Sequence, residues 1–456
     1  MTLRVAVVGS GPAGFYAAGA LLAADPPLEV DMIERLPTPW GLVRLGVAPD
    51  HPNIKAVSRA FEKIAARPGF RFLGNVEFGR DLLHEDLVRL YDAVVYAVGA
   101  QSDRRMGIPG EDLPGSWPAT VFVAWYNGHP DFQELEFDLD VERAVVVGNG
   151  NVAVDVARML ALTPEELAPT DTTEAAIAAI CGAGIREIVM LGRRGPVQAA
   201  FTTPELKELG ELAGADVVVD PADLELDPAS EAALADDTNA QRNLEVLREY
   251  AARPASGKPK RLVLRFLTSP VAIEGTDRVE AVEVVRNRLE ADERGRLAAV
   301  PTDERETIPA GLVLRSVGYR GVALPGVPFD EARGTIRNER GRVLDERGQQ
   351  VPRVYCAGWI KRGPSGVIGT NKKDATETVE LLLEDVAAGL VTPQDRATAD
   401  AVDALLDERG VDRVLYAGWT AIDEAERTAG AEQGRPRVKL CTWPELLAAA
   451  RETAKP

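Results

Sequence analysis

The stretch that decides the fold is LRVAVVGSGPAG at residues 3–14. Its first six residues are mostly apolar and predict a buried strand, and Gly9, Gly11 and Gly14 follow at the G-x-G-x-x-G spacing. Such glycines allow a tight turn, a close approach of the backbone to a pyrophosphate and close packing of the next helix on the strand. The following predicted strand ends at Glu34, whose carboxylate could accept hydrogen bonds from an unphosphorylated ribose. The pattern therefore predicts a dinucleotide-binding unit.

A second fingerprint of the same kind lies further along the chain. A predicted strand precedes GNGNVA at residues 148–153, where alanine takes the third small position, a permitted variant. The next predicted strand, 188–191, runs into a glycine and then Arg193 and Arg194, which stand where the first unit has its acid. Arginine binds phosphate through paired hydrogen bonds. The two endings together predict FAD in the first unit and NADP(H) in the second. Surface ion pairs are the alternative role of the two arginines.

The order of predicted elements indicates an α/β fold with two Rossmann-like dinucleotide-binding domains. Two apolar strands stop at glycine, near residues 99 and 318, and mark the crossings between the domains. The FAD domain is therefore predicted to be discontinuous, with residues 1–102 and 324–456, and the NADP(H) domain to span 103–323. Inside the second domain we expect a helical surface excursion at 214–260 and a strand pair formed by 262–267 and 279–285.

Composition excludes several classes of function. The chain has 456 residues and a net charge of −19, which disfavours nucleic-acid binding and attachment to anionic membranes. No apolar run approaches the roughly 20 residues of a membrane span, and the N-terminus enters a predicted strand without room for a signal peptide. We expect a cytoplasmic protein. The three cysteines lack the spacing of a redox pair, a metal site or an iron–sulfur cluster, so no metal is predicted and any such cluster belongs to a partner.

Two titratable residues are candidates for positions close to the reacting groups. His51 lies in the proline-rich loop APDHP after the Glu34 strand, where it could tune a flavin or position a nicotinamide. A loop histidine that only hydrogen-bonds the backbone is the alternative. Asp155 lies about one turn into the helix of the second fingerprint, where its carboxylate could point toward the domain cleft. A solvated or capping aspartate is the alternative for this residue.

Several further blocks are specific enough to indicate a family. They are PTPWGLVR (37–44), GVAPDHP (46–52), GNGNVA (148–153), GRRGP (192–196), AFT (200–202), GWIKRGP (358–364) and GVIGTNK (366–372). In these blocks the chain resembles the adrenodoxin reductase family of ferredoxin–NADP⁺ reductases, and most nearly its actinobacterial branch. The resemblance covers nearly the whole chain and implies a fold like those of glutathione reductase and adrenodoxin reductase.

The resemblance also implies roles for individual residues. It places His51 and Asp155 near the flavin as the candidate catalytic residues. The implied FAD contacts, added to Gly9, Gly11 and Gly14 of the fingerprint, are Ala13, Glu34, Leu42, Val76, Trp359, Gly366, Val367 and Ile368. The implied NADP(H) contacts are Arg104, Asn149, Gly150, Asn151, Val152, Arg193, Arg194, Glu205 and Gly366.

The activity implied by the resemblance is hydride transfer between NADPH and FAD, followed by single-electron transfer to a ferredoxin, an iron–sulfur protein. Ferredoxins are usually acidic, so we expect a local basic patch, with Lys207, Lys258, Lys260, Arg261 and Arg265 as candidates. Three alternatives remain open. They are a general NADPH:quinone or NADPH:acceptor oxidoreductase (a diaphorase), the flavin subunit of a larger complex, and a non-catalytic dinucleotide sensor. The lack of cluster-ligating cysteines disfavours the second.

Overall fold

The computed structural model describes residues 2–292, 297–366, 368–395 and 397–452. The chain divides into two compact units: unit 1 is Met1–Ser102 with Gly318–Pro456, and unit 2 is Asp103–Val317. The second boundary lies six residues before the one expected from the sequence. The residues after it are held inside unit 1, because Ser102 Oγ donates to the Arg320 carbonyl at 3.0 Å and Gly321 N donates to the Gly334 carbonyl at 3.1 Å.

The N-terminal segment of unit 1 alternates strands and helices. Its elements are β1 (Arg4–Val8), α1 (Pro12–Leu21), β2 (Glu29–Ile33), α2 (Leu42–Leu45), α3 (Pro52–Lys55), α4 (Ser58–Ala65), β3 (Phe70–Leu73), α5 (His84–Leu90), β4 (Ala93–Tyr96) and β5 (Ser102–Asp103). All five residues of β1 are buried, as expected for a strand covered on both faces of a parallel sheet.

Unit 2 is built on a six-stranded parallel sheet of order β6-β14-β7-β8-β10-β9, with an antiparallel three-stranded sheet β11-β12-β13. Its elements are β6 (Ser116–Pro118), α6 (Ala119–Tyr126), β7 (Arg143–Val147), α7 (Asn151–Ala161), α8 (Pro164–Leu167), α9 (Glu174–Cys181), β8 (Glu187–Leu191), α10 (Thr203–Leu209), β9 (Ala215–Val219), α11 (Pro228–Ala235), α12 (Thr238–Ala252), β10 (Lys260–Arg265), β11 (Thr268–Glu274), β12 (Ala281–Ala291), β13 (Leu297–Pro309) and β14 (Leu312–Arg315).

Two expectations for unit 2 are wrong. The stretch 262–267 does not pair with 279–285, because β10 lies between β8 and β9 in the parallel sheet and β12 pairs with β11 and β13 instead. The predicted helical excursion at 214–260 does contain α11 and α12, but it begins with β9, the edge strand of the same sheet. The alternation of apolar residues in short strands does not indicate which strands pair with one another.

The C-terminal segment returns to unit 1 and completes its sheet. Its elements are β15 (Tyr319–Arg320), β16 (Phe329–Asp330), β17 (Thr335–Ile336), β18 (Asn338–Glu339), β19 (Arg342–Leu344), β20 (Gln350–Cys356), α13 (Trp359–Arg362), α14 (Ile368–Ala387), α15 (Ala399–Glu408), α16 (Tyr416–Glu432) and α17 (Trp443–Glu452). The seven strands lie in the order β18-β19-β20-β4-β1-β2-β3. The parallel strand β20 thus pairs with β4 across a long interval of sequence. Trp419 and Ile422 of α16 and Leu446 of α17 join the core beside β1.

Two candidate dinucleotide sites

The turn between β1 and α1 shows what each fingerprint glycine does. Gly9 has φ +103°, and a Cβ there would lie 2.6 Å from the Ala97 carbonyl oxygen. A Cβ on Gly14 would lie 2.0 Å from the Gly9 carbonyl oxygen, so α1 packs directly on the turn. A Cβ on Gly11 would meet nothing within 4 Å. The fold therefore requires glycine at 9 and 14, whereas at 11 the backbone lies open beside the N-terminus of α1.

The N-terminus of α1 has the properties of an anion site. Gly11 is its N-cap and offers no side-chain cap, so the first-turn N–H groups keep their capacity to bind a ligand. Glu34, at the end of β2, holds the adjacent turn. Its Oε2 accepts hydrogen bonds from Ser10 N at 3.1 Å and Ser10 Oγ at 2.7 Å, and its Oε1 accepts one from Leu36 N at 3.0 Å. The acid thus lies where the sequence placed it and also ties the turn to β2.

The segment that contains Leu42 crosses close to the same turn. Trp40 N donates to the Ser10 carbonyl at 3.0 Å, and a Cβ on Gly41 would lie 3.0 Å from Gly11 Cα. Leu42 opens α2 and is 39% exposed. Val76, another predicted FAD contact, is fully buried in the core, and its N–H donates to the Glu34 carbonyl at 2.9 Å.

A buried ionic network that the sequence did not reveal fixes this segment from the C-terminal side. Arg44 forms two hydrogen bonds with Glu426 of α16, and Arg437 Nη1 donates to the same carboxylate at 2.9 Å. Burial alone would raise the pKa of Glu426, but Arg44 and Arg437 hold it below its ordinary value. Trp40 and Trp419 meet edge to face with ring centroids 4.8 Å apart. Arg44 and Glu426 are 382 positions apart, so no local pattern could have paired them.

The loop around Trp359 also reaches the N-terminus of α1. A Cβ on Gly358 would lie 2.6 Å from Ala13 Cβ, which places the start of α13 against α1. The Trp359 indole donates to the Ser365 carbonyl at 3.2 Å. Gly366 is exposed and Ile368 begins α14, while Val367 lies outside the described residues. Ala13, Glu34, the Leu42 segment and Trp359 are thus grouped around the Gly9–Gly14 turn.

His51 lies in the loop between α2 and α3. It is 7% exposed, its N–H donates to the Ala48 carbonyl at 3.0 Å, and it is the N-cap of α3. Its backbone therefore helps to shape the loop, and its predicted place near a flavin stays a prediction.

The turn after β7 in unit 2 repeats the division of roles among glycines. Gly148 has φ +133°, and a Cβ there would lie 2.2 Å from the Ser316 carbonyl oxygen. At Gly150, the N-cap of α7, the nearest contact of a Cβ would be Ala200 Cβ at 3.9 Å. Ala153 at the third small position is fully buried. This turn therefore also requires its first glycine and leaves its second open.

The predicted NADP(H) contacts that follow Gly148 organise the segment 200–202. The Asn149 carbonyl accepts a hydrogen bond from Ala200 N at 3.1 Å, and Asn151 Oδ1 accepts one from Thr202 N at 2.8 Å. Val152, in the first turn of α7, is partly buried against the core of the unit. The block AFT thus lies beside the second fingerprint.

Arg193 and Arg194 follow β8 in the same unit. Arg194 is half-buried, and burial, together with the neighbouring Arg193 charge, lowers its pKa. The Arg194 guanidinium donates to the Gln198 carbonyl at 3.4 Å, and the Arg193 carbonyl accepts from Asn287 Nδ2 at 2.8 Å. Within the described part of the chain neither guanidinium forms an ion pair, so their two positive charges are available to an anion.

The remaining predicted residues of unit 2 lie in three settings. Asp155 forms an ion pair at 3.0 Å with Arg158, which also contacts Glu208 at 2.9 Å, so this carboxylate is neither purely solvated nor a cap. Glu205 is buried on α10. Arg104 is exposed near the start of the unit.

The five cations proposed as a docking patch do not form a free basic surface. Lys258 Nζ and Lys260 Nζ donate to the carbonyls of Leu212 and Leu160 at 2.5 and 2.7 Å. Arg261 and Arg265 form ion pairs with Glu187 and Glu306 at 3.3 and 2.7 Å. Of the five, Lys207 alone is exposed without a side-chain partner among the described residues. That prediction is wrong because cations on the strand β10 and its flanking loop reach backbone oxygens and acids of their own unit.

The other sequence expectations concern cysteines and membranes. Cys181, Cys356 and Cys441 are all free thiols. No helix built from the described residues combines the length and the apolar character that a bilayer crossing requires.

Two Rossmann-like units, each with a glycine turn at a helix N-terminus and with opposite charges at the second strand, define a two-dinucleotide oxidoreductase. Residues 3–168 match the family described as pyridine nucleotide-disulphide oxidoreductase. The NADPH-ferredoxin reductase FprA of Mycobacterium leprae (strain TN) is 53% identical over 450 residues, 97% of each chain. The mitochondrial NADPH:adrenodoxin oxidoreductase of Arabidopsis thaliana is 41% identical over 461 residues, 98% of this chain and 95% of that one.

A solved structure shows the same likeness in three dimensions. Mycobacterium tuberculosis FprA in complex with NADPH has a TM-score of 0.94 and 51% identity, covering 99% of this chain and 100% of that one. The chain belongs to the adrenodoxin reductase-like family of ferredoxin–NADP⁺ reductases. The predicted family and the predicted two-domain Rossmann-like fold are confirmed.

Proposed function

We propose that this chain is an FAD-dependent ferredoxin–NADP⁺ reductase, which moves a hydride between NADPH and FAD and single electrons between FAD and a ferredoxin. The observation that carries the proposal is the contrast between the two second-strand endings. Unit 1 ends in a hydrogen-bonded acid, Glu34, and unit 2 in two arginines without an ion-pair partner in the described chain. An acid suits a ribose with free hydroxyls, and paired arginines suit a 2′-phosphate.

The residues of unit 1 fit FAD. The space beside Gly11 lets a pyrophosphate approach the backbone, and the first turn of α1 provides N–H donors and a partial positive charge. Glu34 lies beside that turn as an acceptor for ribose hydroxyls. Leu42 and Trp359 lie on segments that contact Gly11 and Ala13, so they are placed to bind the rest of an extended FAD.

The residues of unit 2 fit NADPH in the same way. The open position at Gly150 faces the N-terminus of α7, and Arg193 and Arg194 stand at the end of the neighbouring strand β8. Desolvation lowers the pKa of Arg194, so its charge would gain from a phosphate partner. We therefore assign the 2′-phosphate of NADPH to this pair.

Bound flavin supplies the chemistry that joins a two-electron donor to a one-electron acceptor. The chain itself binds and orients, and no acid–base group of the protein is needed for hydride transfer. His51 and Asp155 remain proposed as residues near the flavin, with the Asp155 carboxylate held in place by Arg158. The electron acceptor is proposed to be a ferredoxin, the partner that the names of the relatives give. We further propose that this ferredoxin is an iron–sulfur protein and that the compartment is the cytoplasm.

An absorption spectrum of the purified protein tests the proposal. We expect flavin bands that bleach under anaerobic NADPH much faster than under NADH. Protein that contains no flavin and takes none up would refute the proposal. Flavin that NADPH does not bleach would instead favour a dinucleotide sensor.

Turnover with different acceptors then separates the two enzyme functions. We expect anaerobic NADPH to reduce a purified bacterial ferredoxin with a higher kcat/KM than it reduces a quinone. Efficient quinone reduction with negligible ferredoxin reduction would indicate the general acceptor oxidoreductase instead.

A further inference from the structure

A row of cations follows the predicted flavin loop in an otherwise acidic chain. Lys55, Arg59, Lys63 and Arg67 recur at every fourth position, and Glu62 is the one acid between residues 51 and 69. Positions four apart share one face of a helix. The caps at the junction of α3 and α4 have right-handed helical angles, so the face continues across it.

Arg59 and Lys63 of the row lie on the exposed side of α4, opposite its packed side. Phe61 is fully buried and stacks on Phe15 of α1 with ring centroids 4.8 Å apart, whereas Arg59 and Lys63 are exposed. Arg67 bonds the Gly19 carbonyl at 3.0 Å and stays exposed.

Little negative charge faces these cations. The helix α1, on which α4 packs, carries no charged side chain, and the described residues offer no ion-pair partner to Arg59 or Lys63. Glu62, the one acid of this stretch, also lies near Tyr416: burial raises the pKa of Tyr416 to about 12, and the Glu62 charge adds to the rise. Arg59 and Lys63 therefore carry positive charge that no acid among the described residues pairs.

The row begins next to the residues expected at the flavin. The helix α3 starts directly after His51 and packs against α2, which carries Leu42. Ile54 of α3 is 39% exposed, one of few large apolar side chains at the described surface. An apolar residue beside a cationic row, close to the predicted cofactor, has the make-up of a transient redox-protein interface with an apolar centre and a charged rim.

We propose that Ile54, Arg59, Lys63 and Arg67, here called the α3–α4 basic face, are the docking surface for an acidic iron–sulfur protein. This inference rests on the proposed function, which requires such a partner. The thirteen residues from 55 to 67 span about 20 Å as a helix, which suits the small contact areas of transient electron-transfer complexes. A membrane or a nucleic acid would extend past this face onto a chain whose net charge of −19 repels it.

The test compares two double variants that remove the same charge. Arg59→Ala/Lys63→Ala changes the α3–α4 basic face, and Arg242→Ala/Arg248→Ala changes two exposed cations of α12 in unit 2. Alanine favours helix at all four positions, so both variants should fold. The probe is a purified acidic bacterial [4Fe–4S] ferredoxin, and flavin bleaching by NADPH without an acceptor serves as the control reaction.

We expect the first variant to raise KM for ferredoxin about tenfold at low salt, with bleaching by NADPH unchanged. The difference in KM between this variant and the native protein should become smaller above about 0.5 M salt, where charges are strongly screened. Charge reversal in Arg59→Glu/Lys63→Glu should lower kcat/KM for ferredoxin further, by about 100-fold.

Two results would overturn the docking surface while leaving the proposed function intact: a native KM in the charge-reversed variant, or an equal rise in the α12 variant. If NADPH bleaches the flavin of the native protein but the protein does not reduce the ferredoxin, the proposed function is overturned, and the docking surface with it.

Discussion

The two fingerprint turns begin alike and end differently. Gly9 and Gly148 both have positive φ, and a Cβ on either would strike the carbonyl oxygen of a strand neighbour, at 2.6 and 2.2 Å. Beyond that point the acid of unit 1 is satisfied within its own turn, since Glu34 accepts three hydrogen bonds. Unit 2 leaves two arginines together without an acid in the described chain. The shared part sets the fold, and the differing part is the one that we propose selects the ligand.

Two carboxylates, one in each unit, differ in how far their partners offset the effect of burial. In unit 1, Arg44 and Arg437 overcome burial and hold the pKa of Glu426 below its ordinary value. In unit 2, burial raises the pKa of Asp103 to about 6, against smaller opposing effects of Thr120 and Arg315. Asp103 is therefore less well compensated than Glu426.

Gly14→Ala should produce the largest effect. The third small position is already Ala153 in unit 2, but in unit 1 a Cβ would lie 2.0 Å from the Gly9 carbonyl oxygen. The helix α1 would have to move off the turn, at a cost of about 3 to 4 kcal/mol in unfolding free energy. The measurements are urea unfolding, which gives the loss of unfolding free energy, and the flavin content of the purified protein. A Gly14→Ala protein with native stability and flavin content would show that the two turns tolerate the same residue.

Removal of both arginines should come next. Arg193→Ala/Arg194→Ala should reduce the preference for NADPH over NADH by about 100-fold, or about 2.7 kcal/mol, because charged hydrogen bonds to the phosphate are lost. The measurement is the ratio of the two kcat/KM values in anaerobic flavin reduction. Flavin content should not change, since the arginines lie in unit 2. An unaltered ratio would mean that the 2′-phosphate is recognised elsewhere.

Matched substitutions at the open glycines should separate the two ligands. Gly11→Ala and Gly150→Ala both add a Cβ without a close protein contact, so both proteins should fold. Gly11→Ala should weaken FAD binding by about 30-fold, or about 2 kcal/mol, by blocking the close approach of the pyrophosphate. Gly150→Ala should keep its FAD and raise KM for NADPH instead. If each variant lost the other ligand, the assignment of the two units would be reversed.

The residues that sequence could place are those with a local physical cause. A strand followed by glycines at fixed spacing predicts the turn at Gly9, and the end of the next strand predicts Glu34 as its acid. The hydrogen bonds of Glu34 to Ser10 and Leu36 were not predictable, because they depend on side-chain positions in the folded turn.

Long-range features escaped sequence reasoning. The pairing of Arg44 with Glu426 joins residues 382 positions apart and has no periodic signal. The prediction of a basic patch around Lys260 was wrong for a related reason. A run of cations shows charge but not burial, and the Lys260 ammonium reaches a backbone carbonyl 100 positions away.

The smallest expected effect concerns Asp103 and the pH dependence of stability. Because its pKa is about 6 in the fold and near 3.8 when unfolded, the unfolded chain releases this proton first as pH rises. The native state then binds more protons, so unfolding free energy falls between about pH 4 and 6. The full shift corresponds to about 3 kcal/mol, and partial solvent access reduces the expected loss to about 1 kcal/mol.

The variant Asp103→Asn removes this titration and keeps an acceptor for Thr120. The unfolding free energy of the variant, relative to that of the native protein, should therefore rise between about pH 4 and 6. Urea unfolding at pH 4 and pH 7 measures the change. If the unfolding free energies of the two proteins changed with pH in parallel, Asp103 would be as well compensated as Glu426. Its partners in unit 2 would then be sufficient.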